Sequence, residues 1–322
     1  MIRWSYGINQ FNPQFDDFVR RRQHERALRV IAASGFSGVE LSAGSGRWEP
    51  LGNPRQIEAN FGMIAAFGEF VRSQALESVS SWFWDPSLRL QEDLTPGDDP
   101  TTPAGRDGLV AHARWFASSL AELGGEVLVV RPAPSAAQLP TVEDAVIAEL
   151  AASWTAVADA IAEYGVRLAL HFDFYSALRR DDALERLLAA TDSRVGLALD
   201  TAEFTIAGLD PIAFYRAHAD RVTHVHLKNA GAVDDIEEFG LPAPEFTLLR
   251  AGGSRAVPRW FTELATEPLL VDAPGFVSAL VEHGYDGWVV VESDLTPHQA
   301  TSVMLNGWEV QHVLKPLLKS DE

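Results

Sequence analysis

The chain has 322 residues, 47% hydrophobic and 22% charged, with 24 glycines and 18 prolines; this excludes a disordered or collagen-like polypeptide and suffices to bury a sizeable core. Twenty-six basic against 45 acidic residues give a formal net charge of −19, a field that repels phosphate backbones and anionic bilayers and argues against nucleic acid or membrane partners. There is no cysteine, so disulfides, thiolate metal sites and a cysteine nucleophile are excluded and any metal must be held by His, Asp and Glu.

The opening run MIRWSYGINQFNPQFDDFVRRR lacks the apolar stretch of a signal peptide, and no later stretch reads as long and apolar enough to cross a bilayer, so a cytoplasmic protein is expected. Short β-rich runs then alternate with segments whose apolar residues recur three and four apart. Ile2 to Asn9 is the first strand; Ala27, Leu28, Ile31 and Ala32 form a helical stripe that stops at Gly35. Ser37 to Ser42 is the second strand, followed by a helix over Ile57 to Val71. Leu76 to Trp82 is the third strand, and a helix from Leu109 to Leu123 ends at Gly124-Gly125. Val127 to Arg131 is the fourth strand; Thr141, with Asp144 three residues on, caps a helix over Ala145 to Glu163. After Gly165 come strands Val166 to His171, Val195 to Asp200, Val222 to Leu227 and Trp288 to Glu292.

Eight such units predict parallel strands with crossover helices, closed as one (β/α)8 TIM barrel over residues 1–322 rather than a doubly wound sheet. Two segments exceed ordinary connections, Trp84 to Arg106 after strand three and Asn229 to Glu267 after strand seven, and are candidates for a lid or a partner contact. In such a barrel the reacting groups come from the C-terminal ends of the strands. Those ends carry Glu40, Arg131, His171, Asp173, Asp200, His224, His226, Lys228, Glu292 and Asp294. Imidazoles and carboxylates delivered to one rim suit a divalent cation, manganese first, with cobalt, zinc or iron as alternatives and calcium less apt.

Each residue also has a plainer reading. Asp200 in DTAEF fits a helix cap, and His226 in HVHLKN, with His224 on the same face, fits a core histidine. Glu292 in VVVESD is harder to dismiss, because a carboxylate turned inward from an apolar strand needs a partner or a metal. Glu40 in GFSGVELS points into the barrel, either to substrate or to a buried arginine such as Arg131, which would otherwise clamp a substrate oxygen. Trp82 and Trp84 in SSWFWDP are core, pocket wall, or a flat platform for a sugar ring or aromatic aglycone.

The runs AEYGVRLALHFDF, GLALDTAEFTIAG, RVTHVHLKN and HGYDGWVVVESD, with GFSGVEL earlier, resemble the xylose-isomerase-like barrels. That family includes sugar-phosphate isomerases and epimerases, ketose 3-epimerases, inosose dehydratase and the large subunit of C-glycoside deglycosidases. The resemblance implies Asp200, His226 and Glu292 as metal ligands, with His171 completing the site. Two segments depart from many relatives: in strand five His171 and Asp173 stand where Glu and His are usual, and after strand six Glu203 stands where His follows the DT pair. Losing one of two glutamates weakens a two-carboxylate epimerase and favours an elimination, which needs one base beside a metal-held carbonyl.

The expected activity is therefore a metal-dependent lyase acting on an oxidised sugar or cyclitol. Its substrate is a 3-keto C-glycoside, favoured by the aromatic end of strand three, or an inosose. His171 is fourth ligand or base, Asp173 general base or acid, and Lys228 and Arg131 contact substrate oxygens. The alternatives are a sugar or sugar-phosphate isomerase or epimerase, with His171 or Glu203 replacing the missing acid, and a barrel that binds ligand without catalysis. The expected partners are a small sugar or glycoside and either further copies of the chain or a small second subunit.

Overall fold

The structure, a computed structural model, describes residues 1–11, 20–43, 51–86, 98–235, 257, 259–294 and 296–318. Eight parallel strands close into a barrel: β1 (Arg3–Gly7), β2 (Gly38–Ala43), β3 (Ser78–Trp84), β4 (Val127–Val130), β5 (Arg167–His171), β6 (Val195–Asp200), β7 (Val222–Leu227) and, after a short antiparallel ribbon of β8 (Asn229–Ala230) with β9 (Phe261–Thr262), β10 (Trp288–Val291). β10 lies between β7 and β1 and completes the ring. The helices are α1 (Arg20–Ala33), α2 (Pro54–Phe61), α3 (Ile64–Ser73), α4 (Pro103–Glu122), α5 (Asp144–Ile161), α6 (Ala183–Ala190), α7 (Thr201–Ile206), α8 (Pro211–His218), α9 (Ala273–Glu282) and α10 (Gln299–Glu309). The (β/α)8 expectation holds. Residues 87–97 of the first long connection and 236–256 and 258 of the second lie outside the described residues, and the second carries the β8–β9 ribbon.

Three local expectations differ. The helix over 57–71 is two helices, because Gly62 takes φ +82° and its N–H closes α2 on Glu58, a conformation that favours glycine. The Thr141 cap does not form: α5 starts at Asp144 behind Glu143, whose side chain makes no cap bond, and the Asp144 carboxylate takes Arg186 at 2.6 Å. The stretch Asp144–Tyr164 is long and apolar enough to cross a membrane by length and composition, contrary to the sequence reading, and half of it is buried in the fold. Trp154, Val157 and Ile161 fill the barrel–helix core, and exposed alanines such as Ala148 and Ala152 supply further hydropathy. It is a crossover helix that passes a composition test.

Strand alternation sorts the side chains into two sets. Val39, Leu41, Trp82, Trp84, Leu128, Val130, Leu168, Leu170, Leu197, Leu199, Val225, Leu227, Val289 and Val291 face the helices in one continuous core. Phe83, Val127, Val129, Ala169 and Ala198 form a separate cluster in the lumen. Trp82 therefore does not wall the pocket. Its ring meets Trp115 and Phe116 edge-on at 5.9 and 5.2 Å, its Nε1 donates to Gly52 O at 3.1 Å, and Trp84 stacks on Phe116. The inward aromatic of this strand is Phe83, one residue out of step with the two tryptophans.

Removing so large a buried ring leaves a cavity between barrel and helices. Trp82→Ala is expected to lower the unfolding free energy by about 3–5 kcal/mol in a urea titration; unchanged stability with impaired ligand binding would instead return Trp82 to the pocket.

Candidate active site

The lumen-facing polar residues gather at the C-terminal ends of the strands. The end of β6 carries Asp200, whose two oxygens are divided. Oδ1 accepts the N–H groups of Ala202 and Glu203 at 2.9 and 3.0 Å and caps α7, while Oδ2 faces the lumen, 3.3 Å from His171 Nε2, 3.0 Å from Lys228 Nζ and 3.7 Å from His226 Nδ1. The cap reading and the rim reading of Asp200 thus both describe the residue. His226 on β7 points Nδ1 at Glu292 Oε1 on the end of β10, 3.0 Å away. Donor atoms of His171, Asp200 and His226 all lie within 4.8 Å of one another.

The other expected residues surround this group. Glu40 accepts from Ser81, His224 and His226, so its partners are two histidines and a serine rather than Arg131. That arginine bridges two carboxylates: Nε and Nη2 reach Asp173 at 2.9 and 3.1 Å, and Nη1 pairs with Asp85. Asp173 in turn lies 3.4 Å from His171 Nδ1. Burial alone would raise Asp173, but Arg131 and His171 hold its carboxyl well below the usual range, and both its oxygens are engaged. Its Oδ1 also stands against the His171 ring.

Lys228 extends past the rim to Asp294 Oδ2 at 2.6 Å, over the face of Phe261 on the ribbon at 4.3 Å. Asn9, just beyond β1, donates to Glu292 and Asp294, both at 2.7 Å. Burial pushes Asp294 up to about 6, with Lys228 opposing, whereas Lys228 and His226 overcome burial to hold Glu292 at about 2. Against burial, Asp173 and Asp200 raise His171 to about 9. Glu203 is pushed well above the carboxylate range by burial and by Asp173 and Asp200, and its Oε2 accepts the Phe174 N–H at 2.8 Å.

Sequence reasoning missed Asn9, Asp85, Ser81 and Phe83. Asn9 closes the first apolar run and Asp85 directly follows the third strand, so the strand-end rule that found the others reaches these two as well. Phe83 needed the correct strand parity. Ser81 faces Glu40 because the β2–β3 register shifts between Val39 and Glu40, and a pattern of alternating residues does not reveal such a shift.

Among the described residues the site holds seven carboxyl groups, Glu40, Asp85, Asp173, Asp200, Glu203, Glu292 and Asp294, and two permanent cations, Arg131 and Lys228. All but Arg131 and Asp294 are buried. Even with Glu203 held protonated and His171 raised to about 9, the remaining carboxylates outnumber the cations in a closed lumen and need further compensation. The Nδ1 atoms of His171 and His226 are buried without a hydrogen bond, although that of His226 stands 3.0 Å from a carboxylate oxygen. Two lone-pair donors that close, and not aligned for a hydrogen bond, suit a shared cation. Nitrogen and oxygen donors of this kind fit a divalent transition metal.

The sequence profile of the xylose isomerase-like TIM barrels matches residues 28–304. The chain is 28% identical over 287 residues to the rhizopine catabolism protein MocC of Rhizobium meliloti, covering 86% of this chain and 76% of that one. It is 24% identical over 302 residues to an inosose dehydratase of Clostridium beijerinckii, covering 90% and 88%. Among solved structures, the IOLI protein with a bound zinc atom superposes with a TM-score of 0.69 at 13% identity, over 99% of this chain and all of that one. The closed eight-stranded barrel and a profile match across most of the sequence identify the chain as a member of the xylose isomerase-like TIM barrel family.

Proposed function

We propose that this protein is a metal-dependent lyase that eliminates water from a neutral keto-cyclitol of the inosose type. The observation that carries the reading is the convergence of His171, Asp200, His226 and Glu292 on one rim of a lumen with excess buried carboxylate. The likeness to inosose dehydratase over most of both chains supports the substrate class, and the zinc of the IOLI structure supports the cofactor class. In this reading Asp200, His226 and Glu292 hold the ion and His171, braced by Asp173, is the fourth donor. Manganese, cobalt, zinc and iron all suit such donors. A divalent ion held there supplies the Lewis acidity that makes a C–H beside a bound carbonyl acidic.

The chain's own groups then move the protons. Asp173 is buried and held ionised by Arg131, whereas Asp294, though bonded to Asn9 and Lys228, is pushed up to about 6 and keeps 21% of its side chain exposed, so the proton acceptor is Asp294. Its Oδ2 takes the proton from the carbon beside the carbonyl, and Lys228 Nζ hands a proton to the departing hydroxyl. The 2.6 Å contact between them returns the proton from Asp294 to Lys228. Phe83 lies against His171 and His226 at the bottom of the cup and helps to exclude water there.

Two features bear on the alternatives. Arg131 and Lys228 are already ion-paired, so among the described residues of this rim no cation is left over for a sugar phosphate. Glu203, the remaining acid for an epimerase, is tied to the Phe174 N–H. The C-glycoside reading loses the support of Trp82 and Trp84, which face the helices.

Purified protein is expected to contain close to one divalent metal per chain by elemental analysis, and His226→Ala to lose both metal and activity; folded protein without metal would favour a non-catalytic barrel. Asp294→Asn should keep the metal and lower turnover about 10²–10⁴-fold. With inososes, keto sugars and 3-keto glycosides in heavy water, the lyase releases water from the inosose. Deuterium uptake beside the carbonyl with no substituent lost would support an isomerase or epimerase instead, and release of an aglycone would restore the C-glycoside reading.

A further inference from the structure

Glu40 belongs to neither the proposed ligands nor the proton-moving pair, yet it is buried and accepts three hydrogen bonds. Ser81 Oγ donates at 2.6 Å, His224 Nε2 at 3.0 Å, and His226 Nε2 lies 3.0 Å from Oε1 and 3.2 Å from Oε2. An ionised carboxylate only accepts, so both imidazoles must turn an N–H toward it. A neutral imidazole protonated at Nε2 carries its lone pair on Nδ1. For His226 that nitrogen is buried, makes no hydrogen bond, and faces Glu292 Oε1 at 3.0 Å and Asp200 Oδ2 at 3.7 Å.

We propose that Glu40 is a positioning residue that fixes the His226 tautomer, so that His226 holds the cation through Nδ1, with His224 and Ser81 keeping the Glu40 carboxylate in place. The inference rests on the metal reading above. The register shift in the β2–β3 pairing brings Ser81 opposite Glu40. His224 donates to the same Glu40 oxygen as Ser81. The H-x-H pair of β7 is thereby divided: one histidine faces the cation and the other secures the carboxylate that aims it. Outer partners of this kind are worth about 10–100-fold in metal affinity.

The test uses the full chain and Zn2+ alone as probe. Competition against a chromophoric chelator is expected to show Zn2+ binding about 10–100-fold weaker in Glu40→Gln than in the parent, because the glutamine amide must offer N–H groups to one of the two rings. Nitrogen-15 spectra of histidine-labelled, zinc-loaded parent protein should show His226, assigned through its loss in His226→Asn, with the metal on Nδ1 and the proton on Nε2. A purely structural Glu40 would lower the unfolding midpoint without changing the affinity of the folded variant. Should Glu40→Gln fail to fold, the parent spectrum alone decides. A proton on Nδ1, unchanged affinity in folded Glu40→Gln, or a second zinc ion between Glu40, His224 and His226 each overturns the proposal. Parent protein that binds no zinc overturns it together with the metal reading, whereas tight zinc in both proteins overturns this inference alone.

Discussion

The lumen of this barrel concentrates carboxylates in a closed space faster than its own arginine and lysine can neutralise them. Burying one ionised carboxylate without compensation is costly, and several at once would drive protonation or unfolding. The chain distributes the charge in layers. Glu40 is satisfied by two histidines and a serine, Asp85 and Asp173 by Arg131, and Asp294 by Lys228 and Asn9. Asp200 Oδ2, shared between His171 Nε2 and Lys228, and Glu292, which accepts from Asn9, meet at His226 Nδ1, a buried nitrogen without a hydrogen bond. In the proposed reading a divalent ion at that nitrogen would complete the compensation, and the proposed chemistry follows from there.

Several residues serve both fold and site, which makes the arrangement rigid. Asp200 spends one oxygen on the N-terminus of α7 and keeps the other for the rim. Asp173 is locked by a two-point contact to Arg131, so the ring beside it has little freedom. Asn229 does similar work above the rim: its side chain bonds Thr262, Thr266, Pro268, Leu270 and Val271 and folds the return segment after the ribbon. Phe261 on that ribbon is thereby held beneath the Lys228 ammonium. Rigid support of this sort keeps catalytic groups near productive geometry.

The barrel was legible because each strand announces itself as a short apolar run followed by a polar strand end, and the donors His171, Asp200, His226 and Glu292 all occupy that position. What stayed hidden depended on geometry that residue identity does not encode. Trp82 and Phe83 are adjacent aromatics, and which one faces the lumen depends on strand parity, which composition leaves open. The sequence leaves Glu40 open between substrate and arginine, because its true partners sit on β7, more than 180 residues away. Asp173 looks like a free base in HFDF until the Arg131 fork is seen across two strands. Asn9 and Asp85 lie at strand ends, where the same rule reaches them, but short polar residues are also common in turns.

The central claim is that residues from four strands share one cation. X-ray absorption at the metal edge of the zinc-loaded protein tests it most directly. The account predicts a first shell of nitrogen and oxygen alone at about 2.0–2.1 Å, with outer-shell scattering from two imidazoles. A hydrated ion with no imidazole scattering, or with only one ring, would contradict it.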